Sequence, residues 1–226
     1  SSDLYYAKQM GVPIDKLICA SNENKVLFDF FRTGTYDKNR EFVLTSSPSM
    51  DILISSNLER LIYTIAGQDG QKNAELMDAL KSSGAYEITK EMKAKLDDFV
   101  GGYATEEQTA QAIHDTYKRT GYVMDTHTAV ASCVCAQYRE ESGDETKCLI
   151  ASTASPYKFV GSVMRAIDAE YAGRDEFELV DELEKLSQVA VPNAVKEIRD
   201  AKILHTRECD ADKMKETVKE ILEIEV

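Results

Sequence analysis

The stretch Lys16-Leu17-Ile18-Cys19-Ala20-Ser21-Asn22-Glu23-Asn24-Lys25-Val26-Leu27-Phe28-Asp29-Phe30-Phe31 decides the fold class. It opens as a short apolar run of strand length, and from about Asn24 to Phe31 its apolar residues fall at helical spacing. Upstream, Leu4-Tyr5-Tyr6-Ala7-Lys8-Gln9-Met10 reads as an amphipathic helix that Gly11 stops and Pro13 closes off. Helix, strand and helix at this spacing make a piece of a parallel α/β unit. Ligands of such sheets bind beyond the carboxyl ends of the strands, where Ser21, Asn22 and Asn24 stand. Capping of the following helix by Asn22 or Asn24 accounts for the same asparagines.

Further along, Thr45-Ser46-Ser47-Pro48-Ser49-Met50-Asp51-Ile52-Leu53-Ile54 is a polar turn running into apolar residues, and 57–66 has helical periodicity. Helical patterns follow over 72–83, 89–99 and 106–119, with turns expected at Gly84 and Gly101-Gly102, so the middle third reads as a helical insertion. Thr105-Glu106-Glu107-Gln108 has the form of a capping box. The α/β pattern resumes at Gly121-Tyr122-Val123-Met124. A small-residue helix then runs to about Glu141, with Asp125 as its N-cap, and Lys147-Cys148-Leu149-Ile150-Ala151 is expected as a strand. Hydroxyl residues at its end, Ser152-Thr153-Ala154-Ser155, suit a polar ligand group. The segment 174–226 is charged and helical, broken at Val191-Pro192-Asn193, and is expected to pack on the outside of the domain.

The 226 residues, 43% of them hydrophobic, suffice for a real core. The 27 basic residues against 40 acidic ones leave a net charge of −13, which repels phosphate backbones and anionic lipid. We therefore expect no nucleic-acid and no membrane partner. Five cysteines, Cys19, Cys133, Cys135, Cys148 and Cys209, make an odd count with no CxxC pair, which fits neither a disulfide framework nor a zinc ribbon. No metal is expected, and Cys133 and Cys135 read as core thiols of a reducing compartment. No apolar run reaches membrane-span length and the first residues have no leader pattern, so a cytoplasmic location is expected.

Five motifs in order resemble the threonine synthase family. They are residues 5–13 (Tyr-Tyr-Ala-Lys-Gln-Met-Gly-Val-Pro), 20–27 (Ala-Ser-Asn-Glu-Asn-Lys-Val-Leu), 47–61 with Ser-Pro-Ser-Met-Asp-Ile and Ser-Ser-Asn-Leu-Glu-Arg-Leu, 125–131 (Asp-Thr-His-Thr-Ala-Val-Ala) and 153–159 (Thr-Ala-Ser-Pro-Tyr-Lys-Phe). Their collinearity over residues 3 to about 170 is specific; the remainder matches loosely. The resemblance implies an α/β chain that is part of PLP fold type II, the tryptophan synthase β-like architecture. That means an open parallel sheet with a helical insertion and a helical C-terminal tail. The implied division is 1–48 and 121–170 for the α/β catalytic domain, 49–120 for the insertion and 171–226 for the extension.

The function implied is conversion of O-phospho-L-homoserine and water to L-threonine and phosphate with pyridoxal 5'-phosphate (PLP). The family's Schiff-base lysine and its phosphate-cradling loop lie upstream of the motifs found here. We therefore expect a part of a longer chain, inactive alone and able to self-associate through an exposed cleft. By its place in the motif, Thr153 is implied to meet the pyridine nitrogen, although capping of the helix near Tyr157 would explain it equally. His127 is implied to lie beside the cofactor ring as a proton-moving group, although a packing role is usual for a histidine in a first helical turn. Asn22, Asn57 and Arg60 are substrate-side candidates, with capping and surface ion pairs as the plainer alternatives. Lys158 resembles an anchoring lysine only superficially and is rejected. The family generally has Pro where Thr126 stands and His where Ser155 stands. The alternatives are another fold type II lyase, such as a threonine dehydratase, or a non-catalytic regulatory or interaction domain of the same fold.

Overall fold

In a computed structural model, which describes residues 2–224, the expected helix, strand and helix open the chain as α1 (Ser2–Gln9), β1 (Leu17–Ser21) and α2 (Val26–Thr33). Next come β2 (Thr35–Asp37), a 3-10 turn at Pro48–Met50, α3 (Leu58–Ile65), α4 (Gly70–Ser82), β3 (Ala85–Glu87) and α5 (Lys90–Ala94). Then follow β4 (Phe99–Tyr103), α6 (Glu106–Thr120), α7 (Thr126–Ser142), a 3-10 turn at Pro156–Phe159, α8 (Val160–Ile167) and α9 (Glu176–Ser187). α10 (Asn193–Arg199) and α11 (Met214–Ile221) belong to a second compact unit that begins at Val191.

β1 and β4 pair in parallel, Leu17 opposite Phe99 and Ser21 opposite Tyr103, while β2 and β3 form an antiparallel pair. α3 buries Leu58, Leu61, Ile62 and Ile65, and α8 buries Val160, Val163, Met164 and Ile167. Both sets follow the i, i+3, i+4, i+7 spacing of a single apolar stripe. The main core joins α2, α3, α4 and the β2/β3 ribbon around Phe30, Tyr36, Ile62 and Tyr86. A smaller cluster, Ala104, Val130 and Val134, fixes α7 against the parallel strands.

The capping box at Thr105 and Gln108 and the Asp125 cap are both present. Four expectations need correction. Gly101 and Gly102 form no turn but lie inside β4. A Cβ on Gly102 would stand 2.3 Å from Val134 Cγ1, and one on Gly101 would stand 3.1 Å from the Phe28 carbonyl. Glycine is there for close approach of α7 and α2, the other reason strands carry it. The helix expected over 89–99 is shortened to α5, with a turn over 95–98 before Phe99 opens β4. The 49–120 segment thus contributes β3 and β4 as well as helices. Residues 147–151 form no strand, since a strand exists only through its ladder and no described strand pairs with them. Finally, neither Asn22 nor Asn24 caps α2, whose N-cap position is Lys25 at φ 40° with no side-chain bond.

Candidate functional site

The end of β1 releases the chain into a buried polar cluster. Asn22 is 1% exposed and Asn24 3%, so their amides need partners inside the protein. Asn22 Nδ2 donates to Asp51 Oδ1 at 2.7 Å and to Thr45 Oγ1 at 2.9 Å, while its Oδ1 accepts the Asn24 amides at 3.1 and 3.2 Å. Asn24 Nδ2 donates to the Val43 carbonyl at 2.8 Å and to Asp51 Oδ1 at 3.1 Å. Asp51 also accepts the Thr45 hydroxyl at 2.7 Å and the Thr45 amide at 3.0 Å. The asparagines therefore hold loop 43–51 across the strand end. Sequence reasoning did not assign that role to Asp51 and Thr45, although the polar Ser-Ser-Pro-Ser-Met-Asp run was its visible signal.

The same loop meets the first turn of α7. Asp125 Oδ1 accepts the His127 amide at 2.9 Å and the Thr128 amide at 3.2 Å, and Asp125 Oδ2 accepts the Thr128 hydroxyl. Burial pushes the Asp125 carboxyl up, but bonds from the His127 and Thr128 side chains and their amides outweigh it and hold the group below its ordinary value. His127 Nε2 accepts the Ser49 amide at 3.2 Å, and Nδ1 lies 3.2 Å from Asp125 Oδ1. A backbone N–H only donates, so this network places the ring proton on Nδ1, facing Asp125. The imidazole also packs on Phe159, ring centroids 5.3 Å apart. On the other side, Thr128 Oγ1 is 2.8 Å from Ser152 Oγ. A continuous chain thus runs from Ser49 through His127, Asp125 and Thr128 to Ser152, the residue before Thr153.

Thr153 is exposed. Ser155 caps the Pro156–Phe159 turn, accepting the Tyr157 amide at 3.3 Å, so capping does not explain Thr153. Loop 45–51 and the α7 turn therefore join Asn22 and His127 in one bonded network, which reaches Ser152, the residue before Thr153. Asn57 and Arg60 are not part of it. They sit on exposed α3 surface, where Arg60 Nη2 donates to Asn57 Oδ1 at 2.6 Å. Asn57 occupies the N-cap position of α3 without a capping bond. The crevice these two line with Tyr5, Tyr6 and Ser55 holds about 20 Å³, room for about one water. A larger cavity of about 150 Å³ lies beside the α7 turn, bounded by Ser46, Glu106, Thr109, Thr126, Ser162 and Arg165. Lys158 is exposed, its ammonium 5.3 Å from the Phe159 ring centroid. Among the described residues there is no cluster of side chains able to hold a metal ion and no helix long and apolar enough to cross a membrane.

Residues 128–209 match the family model described as threonine synthase, C-terminal. Human threonine synthase-like 1 is 44% identical over 164 residues, 72% of this chain and 22% of that protein. Threonine synthase of Saccharomyces cerevisiae is 34% identical over 200 residues, 81% of this chain and 39% of that protein. The chain thus spans less than half the length of these curated relatives. A crystal structure of threonine synthase from yeast superposes with a TM-score of 0.80 at 29% identity, covering 97% of this chain and 44% of that one. The PLP-bound threonine synthase from Brucella melitensis gives 0.68 at 36% identity, covering 81% and 38%.

Proposed function

The chain belongs to the threonine synthase family, as its C-terminal part, and from that premise we infer that it forms the far wall of the PLP pocket in a lyase converting O-phospho-L-homoserine and water to L-threonine and phosphate. The observation that carries this reading is the Ser49-to-Ser152 chain of bonds, which ends at the residue before the exposed Thr153. When bound, PLP supplies an electron sink for carbanion chemistry. Thr153 would hold its pyridine nitrogen. A hydroxyl there, unlike a carboxylate, does not strongly favour a protonated ring nitrogen and so moderates that sink.

The residues present fit one edge of the cofactor. No glycine-rich turn follows a described strand to cradle its phosphate, and Lys158, stacked outside on Phe159, offers no enclosed amine. An anchoring lysine and a phosphate cradle would have to come from residues outside this sequence, and without them the chain would be inactive. His127 orients the α7 turn and loop 48–50 together. For it to move a proton, Ser49 would first have to release Nε2. Asn22 shapes the strand end from within the polar cluster, while Asn57 and Arg60 lie to one side and keep a substrate-side role only through their own crevice.

The test is an assay of the full polypeptide for phosphate release and threonine formation from O-phospho-L-homoserine. Thr153→Ala should lower kcat roughly 10- to 100-fold, the loss of one polarised hydrogen bond, and Thr153→Ser should restore it. Deamination of threonine in place of its synthesis would favour the dehydratase alternative. Full activity of Thr153→Ala would remove Thr153 from the site.

A further inference from the structure

We propose that Cys135 and Cys148 are a modification site, two thiols arranged to close into a disulfide with a low-molecular-weight disulfide such as oxidised glutathione as electron acceptor, pinning residues 147–153 to α7. Both are free thiols, Cys135 buried and Cys148 exposed, and their sulfurs lie 2.7 Å apart. The approach is built in by the turn that brings the chain back. α7 ends at Gly143, whose amide bonds the Arg139 carbonyl in a left-handed cap at φ 68°. Tyr138 then donates to Asp144 Oδ2 at 2.9 Å, and Arg139 Nη2 donates to the carbonyls of Thr146 at 2.9 Å and Glu145 at 3.3 Å. Cys135, Tyr138 and Arg139 occupy positions i, i+3 and i+4, one face of the helix, so the same face that grips the turn presents the buried thiol beneath Cys148.

Access favours a fixed order of attack. The exposed Cys148 thiolate attacks one sulfur of oxidised glutathione and displaces a glutathione thiolate. Cys135 then gives up its proton, attacks the Cys148 sulfur and displaces the second glutathione thiolate. Two protein thiols are oxidised, one glutathione disulfide is reduced, and the two protons released end on the two glutathione molecules. Burial, with the Cys148 contact second, pushes the Cys135 thiol up to about 11, so closure accelerates with pH. Cys133 on the same helix is half-buried and accepts a bond from Gln137 Nε2 at 3.5 Å. Four and five residues beyond Cys148 stand Ser152, tied to Thr128, and Thr153, so the linkage would restrain the strip that carries them.

To test this, reduced chain is incubated with oxidised glutathione at mildly alkaline pH, and the products are mapped by mass spectrometry and amide exchange. Wild type should lose the mass of two hydrogens, yield a peptide linked between Cys135 and Cys148, and slow its exchange over 147–153. Dithiothreitol should reverse all three. Cys135→Ser should stop at a glutathione adduct on Cys148, whereas Cys133→Ser should behave as wild type. A wild-type protein that stays reduced, retains the glutathione adduct, or links Cys148 to another cysteine would overturn the pairing. Unchanged exchange over 147–153 after closure would overturn the pinning. None of these readouts depends on lyase activity.

Discussion

Asp125 carries more of the site than its role as a helix cap suggests. It faces two amides, the Thr128 hydroxyl and the His127 ring, all donors, so Asp125→Asn turns part of the acceptor into a donor facing donors. The expected cost is about 1–3 kcal/mol at neutral pH, read from urea unfolding midpoints. Because the folded carboxyl titrates below its ordinary value of 3.8, its stabilising contribution is complete above that value and is lost as pH falls through the lower, folded one. Wild type should therefore lose stability below about pH 4, and Asp125→Asn should lose less over the same range. Asp51 is the equivalent hub at the end of β1. Asp51→Ala takes the acceptor from Asn22, Asn24 and Thr45, and thermal unfolding should show a loss of about 1–3 kcal/mol. Asp125 was legible from its place before a helix. Asp51 was not, because its two asparagine partners lie 27 and 29 residues away in sequence, and single-chain spacing carries no sign of such a contact.

At the level of elements, β4 shows where local signals mislead. Gly101-Gly102 is a turn signal in sequence, yet here the two residues let α2 and α7 close on a strand paired to β1. Gly102→Ala would force its methyl group into Val134, so we expect a loss of about 1–3 kcal/mol, with a partial rescue by Val134→Ala that a double-mutant cycle would detect. Helices α3, α6 and α7 were readable because a 3.6-residue apolar stripe or a capping residue is a local property. The 147–151 segment was read as a strand from its apolar run. Pairing belongs to the neighbour as much as to the segment, and no described strand pairs with it.

Over the whole molecule, the order of motifs identified the family, whereas composition and charge bear only on which partners to expect. The bonds that join Asn22 and His127 and reach Ser152 run through loop 45–51 and the α7 turn, which sequence spacing does not reveal, whereas Asn57 and Arg60 bond to each other on exposed α3 surface. The parallel sheet has two described strands, and parallel strands are normally covered by neighbours on all sides. We expect sedimentation to show concentration-dependent association of the isolated chain; a monomer at every concentration would count against an exposed edge. The most direct measurement is to mix this chain with PLP, reduce with borohydride and map every lysine by mass spectrometry. A wall that holds only the ring edge should yield no stoichiometric lysine-linked cofactor. A single stoichiometric adduct, above all at Lys158, would contradict it and make this chain a complete cofactor site.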